Sequence, residues 1–418
     1  MRAARKLTLL TALIVAAVKI LNQKERQEKI MKKRALLAAG LAAAMLMTGC
    51  GSSAPAATEE AASAPAATEE TESEAEEVVE ESAPAEEDGA ATPASELLAG
   101  KKVIYINSNV NDDWNVISTR YLEALVKEAG GECIIYNAEG DSAKQAQMVD
   151  DSISAKPDVL VVKPIDQAAI VPALQRLNEA GIPIITLDMG IFKEADVDIL
   201  CAIQTDQESL GAINAQYIVD KAKETGVKAE IVTVLGDMSS DLAQMRQKGF
   251  NDVINANSEY AEVLAETESK WDASQAYTAV KDMMTAHPEA NTVFSCADGM
   301  GIGALQALND MGKQIPMGEE GHITFVSIDC DPNGCKGIED GFIDQEAEHN
   351  AALHSDIAFK LIVDYVNGYE LPENVFFQTT ARNIDNVADA WGNLDVENVS
   401  NWGWMEQDAY VMQTPYAE

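Results

Sequence analysis

The 418 residues carry 69 acidic against 30 basic side chains, a formal net charge of −39, and 47% of them are hydrophobic. A surface of that sign repels polyanions, so a nucleic-acid-binding role lacks the basic footprint it needs. The four histidines are scattered and no cysteines form a CxxC pair, so there is no metal-ligand spacing for zinc. No GxSxG motif or other nucleophile–base–orienter set points to an enzyme, and no cofactor is expected.

The chain opens on a basic-then-apolar segment from Arg2 to Leu21, followed by a charged stretch from Lys24 to Lys29. Its apolar part, Leu7 to Val18, falls short of the ~20 residues that span a bilayer. We read residues 1–30 as an extension upstream of the true start at Met31, because Gln27-Glu28 can be encoded as a purine-rich ribosome-binding sequence. Codons poor in purines at that point would refute this. Met31-Lys32-Lys33-Arg34, an apolar run from Ala35 to Met47 and small residues before Cys50 make residues 31–49 a secretory signal peptide. Leu46-Met47-Thr48-Gly49-Cys50 resembles the lipobox of bacterial lipoproteins. The resemblance implies cleavage before Cys50, lipid on its sulfur, and a mature chain anchored to the cell membrane on its outer side. Residues 1–50 hold ten basic and two acidic side chains, so the remainder carries −47.

Residues 50–96 are dominated by Ala, Ser, Pro, Thr and Glu, and Ser53 to Glu60 recurs as Ser63 to Glu70. Such a stretch buries too little apolar surface to offset its conformational entropy and is expected to be a disordered acidic tether. Its mean span is on the order of 35–40 Å, and self-repulsion extends it.

The following ~320 residues suffice for two domains. Short apolar strands alternate with amphipathic helices, which predicts an α/β fold of two doubly wound parallel sheets. Lys102 to Asn107 reads as a strand and Trp114 to Ala129 as a helix burying Ile117, Tyr121, Leu122, Leu125 and Val126. Strands at Cys133–Tyr136 and Val159–Val162 flank a helix over Ala143–Ser154. A helix over Ile165–Ala180 ends at Gly181, and strands Ile184–Leu187 and Ile199–Ile203 close the first series. The second series has strands at Ile231–Leu235, Glu262–Ala265, Thr292–Cys296 and Thr324–Ile328. Helix Ala351–Asn367 and strand Val375–Gln378 come last, and the Trp-rich tail from Ala381 shows no period.

Cys133, Cys201 and Cys296 fall in predicted strands and read as small buried hydrophobes. Cys330 and Cys335 flank the turn sequence Asp331-Pro-Asn-Gly334, which suits either a local disulfide or two free thiols. Gly299-Met-Gly301-Ile-Gly303 hints at a dinucleotide fingerprint, but the spacing favours tight helix packing.

In open parallel sheets ligands bind beyond the carboxyl ends of the strands. Polar and aromatic residues recur there: Asn109, Asp113 and Trp114 after the first strand, then Asp188, Arg246, Trp271, Asp298 and Asp329. A core would want none of them at those places. Their order, with Pro157 to Pro164, Ala180 to Asp188, Thr205-Asp206, Gly249-Phe250, Ala286-His-Pro288 and Ile328-Asp329, resembles the ribose/galactose-type periplasmic sugar-binding proteins of ABC importers, over about Val103 to Thr380. The resemblance implies two lobes joined by a three-stranded hinge, with ligand held between them by Asn109, Asp113, Trp114, Asp188, Arg246, Trp271, Asp298, Asp329 and His349. The lobes would comprise residues 97–204 plus 350–372 and residues 205–349 plus 373–382, with 383–418 an extension. The chain departs from the family pattern at Met189, Ala297 and Asp112-Asp113-Trp114, which bears on the sugar rather than on the class.

Indole faces pack on the C–H face of a sugar ring while carboxylates, amides and guanidinium bond its hydroxyls. Four aspartates converging against Arg246 alone would disfavour an anionic ligand and favour a neutral sugar or polyol, or an amino sugar. The partners so implied are a permease and its ATPase, with the chain acting as a monomer. A sensor presenting bound sugar to a membrane kinase or chemoreceptor uses the same fold and is the alternative.

Overall fold

The computed structural model describes residues 94–377 and 379–393. The upstream extension, signal peptide, Cys50 and all but the end of the tether, together with 394–418, lie outside the described residues. In chain order the elements are β1 (Lys102–Asn107), α1 (Asp113–Glu128), β2 (Glu132–Asn137), α2 (Ser142–Ala155), β3 (Val159–Val162), α3 (Val171–Glu179), β4 (Ile184–Asp188), β5 (Cys201–Thr205) and α4 (Gln207–Thr225). Then come β6 (Ala229–Leu235), α5 (Asp241–Ala256), β7 (Ala261–Glu268), α6 (Ala273–Ala286), β8 (Thr292–Ser295), α7 (Asp298–Asp310), β9 (Thr324–Asp329), α8 (Pro332–Asp340), β10 (Gln345–Glu348), α9 (Ala351–Val366), β11 (Asn374–Phe377) and β12 (Thr380–Arg382).

They form two six-stranded sheets of order β11-β5-β4-β3-β1-β2 and β12-β10-β9-β8-β6-β7. Every pairing is parallel except β12 on β10. The central strands are buried on both faces, as all four residues of β3 are, because helices cover each side. The expected fold class is thus the one observed. The chain passes between the sheets between β5 and α4, between β10 and α9, and between β11 and β12. Asn374–Phe377, assigned from sequence to the second lobe, instead pairs with β5 in the first sheet, because the last passage comes after β11 rather than before it.

Helix starts follow local chemistry. Asp112, Asp141, Asp206, Asp272 and Asp331 each accept a hydrogen bond from a backbone N–H of the first turn. The helix predicted from Ile165 begins only at Val171. The Gln145 side chain accepts from Ile165 N at 3.0 Å and donates to Lys163 O at 2.7 Å, holding the chain extended there. Gly211 and Gly249 let α4 and α5 touch backbone to backbone: a Cβ on either would lie 2.0 or 1.9 Å from a carbonyl oxygen of the other helix. Gly303 does the same for α7, where a Cβ would meet Ala273 O at 1.9 Å, so the glycine run is a packing device. Among the described residues no helix is long and apolar enough to cross a membrane.

Candidate functional site

The carboxyl ends of the two sheets face one another across a cleft of about 610 Å³, including its open mouth. From the first lobe come Ser108, Asn109, Asp112, Trp114, Asn115 and Lys163, and from the second Asp237, Ser240, Arg246, Trp271, Asp329 and His349. Six of the nine expected site residues, Asn109, Trp114, Arg246, Trp271, Asp329 and His349, are therefore brought to one cavity.

The other three are not on its wall. Asp188 ends β4 fully buried behind it, accepting from Gln207 Nε2 at 2.7 Å and His349 Nε2 at 2.8 Å. Lys163 Nζ lies 2.9 Å from its second oxygen. Burial alone would raise this carboxyl, but Lys163 and His349 hold it well below the usual carboxylate range. Asp113 is exposed at the rim, where Asn333 Nδ2 of the opposite lobe donates to it at 2.6 Å. Asp298 sits behind Ala297, accepting from Ser327 Oγ at 2.6 Å and Asp331 N at 2.9 Å. The expected convergence of four aspartates is thus corrected: of the four, Asp329 alone lines the cavity.

Nor is Arg246 the lone cation. Lys163, which follows the all-apolar β3, reaches into the cleft, donates to Asn115 Oδ1 at 3.2 Å and stands 3.7 Å from the centre of the Trp114 ring. His349 stacks on the same indole at 4.6 Å, and Trp114 Nε1 donates to His349 O at 2.8 Å. Much of Trp114 is thereby committed within the protein, and it is 2% exposed. Trp271 is the more available platform: its backbone takes φ +61°, and its ring lies over Gly236, where a Cβ would come within 2.2 Å of it.

Arg246 is fixed by three acceptors: Gln207 Oε1 at 2.9 Å, Cys296 O at 2.8 Å and His349 Nδ1 at 2.9 Å. The same Nδ1 lies 3.1 Å from Asp329 Oδ1, so it can accept from the guanidinium or donate to that carboxylate but not both, while Nε2 donates to Asp188. Arg246 Nη1 also stands 3.5 Å from Asp329 Oδ1. Burial and the neighbouring His349 push His354 down to about 3, so it stays neutral, its Nε2 bonded to Thr205 Oγ1 at 2.8 Å. Asp188, His349 and His354 offer three metal-type donors within 4.8 Å of one another. Lys163 already neutralises the carboxylate, and the histidine nitrogens are engaged in the bonds just given. This trio works as an ion-paired support beneath the cleft.

Sequence reasoning missed Lys163, Asp112, Asn115, Gln207, Asp237 and Ser240. A lysine directly after four buried strand residues was the available signal for the first. Burial raises the Asp112 carboxyl, opposed by the Asn115 N–H and Lys163. Cys330 and Cys335 are free and buried, with sulfurs 3.5 Å apart.

A sequence model of the periplasmic binding protein domain matches residues 103–370. The ribose import binding protein RbsB of Bacillus subtilis (strain 168) is 25% identical over 268 residues, covering 64% of this chain and 82% of that protein. The xylitol-binding protein of Mycolicibacterium smegmatis is 24% identical over 267 residues, 64% of this chain and 72% of that one. A crystal structure from Mycobacterium smegmatis in complex with β-D-fucofuranose superimposes with a TM-score of 0.65 at 23% identity, covering 72% of this chain and 97% of that one.

Proposed function

The chain belongs to the periplasmic binding protein family, and from that premise we propose that it is an extracytoplasmic receptor that takes a small neutral sugar or polyol between its lobes and delivers it to the permease and ATPase of an ABC importer. One observation carries this reading: hydrogen-bonding side chains from both lobes, with the Trp271 ring, meet on a single cleft between the lobes. Relatives named for ribose import and for xylitol binding support the ligand class. Asp112, Asp237 and Asp329 outnumber Lys163 and Arg246 on the wall, with Asp188 behind, so an amino sugar is accommodated better than a sugar acid. The lipobox-like stretch ending at Cys50 supports a lipoprotein, tethered to the cell membrane by residues 50–96, and we read it as acting as a monomer.

A thermal-shift screen against neutral sugars, polyols, amino sugars and sugar acids tests the ligand class, followed by calorimetry on the hits. A ligand binding only the native state at 100 times its Kd adds about 2.7 kcal/mol of stability. A neutral sugar or polyol is expected to produce that shift. Tight binding of a sugar acid, with none of the neutral compounds binding, would overturn the reading.

A further inference from the structure

Behind Ala297 and the Asp329 turn, the second lobe buries two carboxyls against each other. Glu346 on β10 is 0% exposed, and neither of its oxygens meets a hydrogen-bond donor among the described residues. Asp298 at the start of α7 already takes a donor on each oxygen, from Ser327 Oγ and Asp331 N. Both side chains press on Gly334 of α8: a Cβ there would lie 2.2 Å from Asp298 Oδ2 and 2.4 and 2.5 Å from the Glu346 oxygens. Three carboxyl oxygens thus crowd one point, and only a glycine fits beneath them.

The groups facing this pair from the surrounding elements are Asp329 on β9, Asp331, and the thiols of Cys330 and Cys335. None is a cation. Arg246, the cation beyond them, is spent on Asp329, His349, Gln207 and Cys296 O. Two buried carboxylates in contact cannot both ionise without a counterion. A proton on one of them supplies the missing donor.

We propose that Asp298 and Glu346 share one proton at neutral pH, and that this acid pair positions the Asp329–Asp331 turn, and with it Asp329, at the cleft. Asp298 Oδ2 accepts the Asp331 N–H, and this turn carries φ +112° at Asp329 and +56° at Cys330. Loss of the proton sets the two charges against each other and pushes Asp298 off the amide it holds. The inference stands whichever small ligand the cleft takes. Burial, together with each carboxyl's acidic neighbours, drives both groups well above the usual carboxylate range.

In the unfolded chain both carboxyls titrate near the ordinary value, about 4. Between there and the pair's raised value the folded protein binds one more proton than the unfolded one. The unfolding constant therefore rises about tenfold per pH unit across that window from this pair alone. The test compares wild type, Glu346→Gln and Glu346→Ala by denaturant unfolding from pH 5 to 9. It adds infrared spectra at pH 7 and amide hydrogen exchange of the peptide spanning 329–335. Glu346→Gln supplies a permanent N–H donor to Asp298, so its unfolding constant should depend less on pH by one proton, making it more stable than wild type at pH 9. The wild type should show the C=O stretch of a protonated carboxylic acid at pH 7, weaker by one such group in Glu346→Gln, since Asp331, pushed up to about 7 by burial, contributes to both. Exchange at 329–335, normalised to the intrinsic rate, should quicken between pH 7 and pH 9 in the wild type but not in Glu346→Gln or Glu346→Ala, neither of which can place a second charge beside Asp298. Equal pH slopes in wild type and Glu346→Gln, or no carboxylic acid band in the wild type at pH 7, would overturn the proposal. An unchanged normalised exchange rate in the wild type between pH 7 and pH 9 would overturn the positioning role.

Discussion

Replacing Lys163 by Met separates the contribution of its charge from that of its bulk. Its ammonium lies 2.9 Å from Asp188 Oδ2, with side-chain exposures of 8% and 0%, so solvent cannot take its place. Removing one partner of a buried pair typically costs about 3–5 kcal/mol. Asp188 keeps its bonds from Gln207 and His349, which places Lys163→Met at the lower end, about 3 kcal/mol, or roughly 6–12 °C in Tm. The sign with pH follows from Asp188, whose carboxyl is held below its ordinary value. Its contribution is present above the unfolded value of about 4 and lost as pH falls through the folded one. The gap between wild type and Lys163→Met should therefore be widest near neutrality and close in acid. Adding Asp188→Asn to Lys163→Met removes the stranded charge and should recover part of the loss. Urea titrations at pH 7 give the full gap, and a series run down from pH 5 should show it narrowing. A gap under about 0.5 kcal/mol at pH 7, against the 3 kcal/mol expected for a buried pair, would refute the reasoning.

Trp271→Ala removes the platform over Gly236 and should weaken the ligand found in the screen about tenfold, or ~1.4 kcal/mol, by calorimetry. Gly211→Ala drives a methyl to 2.0 Å from Arg246 O and should destabilise by about 1–3 kcal/mol in urea, with weaker ligand binding as α5 shifts. Trp391→Phe deletes the 2.7 Å bond from Nε1 to Asp329 O. Because His349 N still donates to that oxygen at 3.1 Å, the loss should be about 1 kcal/mol, read as a lowered Tm.

The alternation of apolar strands and helices was legible because parallel strands covered on both faces read as unbroken apolar runs. β10 was not, since its sequence Gln-Glu-Ala-Glu looks solvated. Glu346 is buried there by an acidic neighbour three elements away, which no local pattern carries. β11 was found as a strand but placed in the wrong lobe, because pairing across a hinge is set by where the chain turns, not by composition. Strand-end positions identified the cleft, and six of nine candidates reach it. Asp188 and Asp298 fail to do so for a common reason: each is one layer too deep, held by partners (Lys163 and His349, Ser327 and Asp331) that come from other elements. The Trp-rich tail also gains one anchor, Trp391, buried against the Asp329 turn.

Backbone strain and inter-lobe bonding together indicate how the cleft can open. Asp188, Trp271, Asp329 and Cys330 take positive φ at or just beyond strand ends on the cleft side, at a cost of about 1–3 kcal/mol each. The bonds that hold Asp188 and Asp329 come from Gln207, His349 and Trp391. Gln207 and His349 lie where the chain passes between lobes, so a rotation about those passages displaces them least. Among the described residues, the inter-lobe bonds away from those passages are at the rim: Asn333 to Asp113, and Gln167 N to Asp241 Oδ2 at 3.0 Å, while Trp114 Nε1 to His349 O lies beside a passage. Hydrogen bonds of this kind contribute on the order of 1 kcal/mol each, net. Few bonds away from the passages therefore hold the lobes closed, and a ligand that bridged Asn109 and Lys163 on one wall to Arg246 and Trp271 on the other would have the differential affinity needed to shift the balance between open and closed forms.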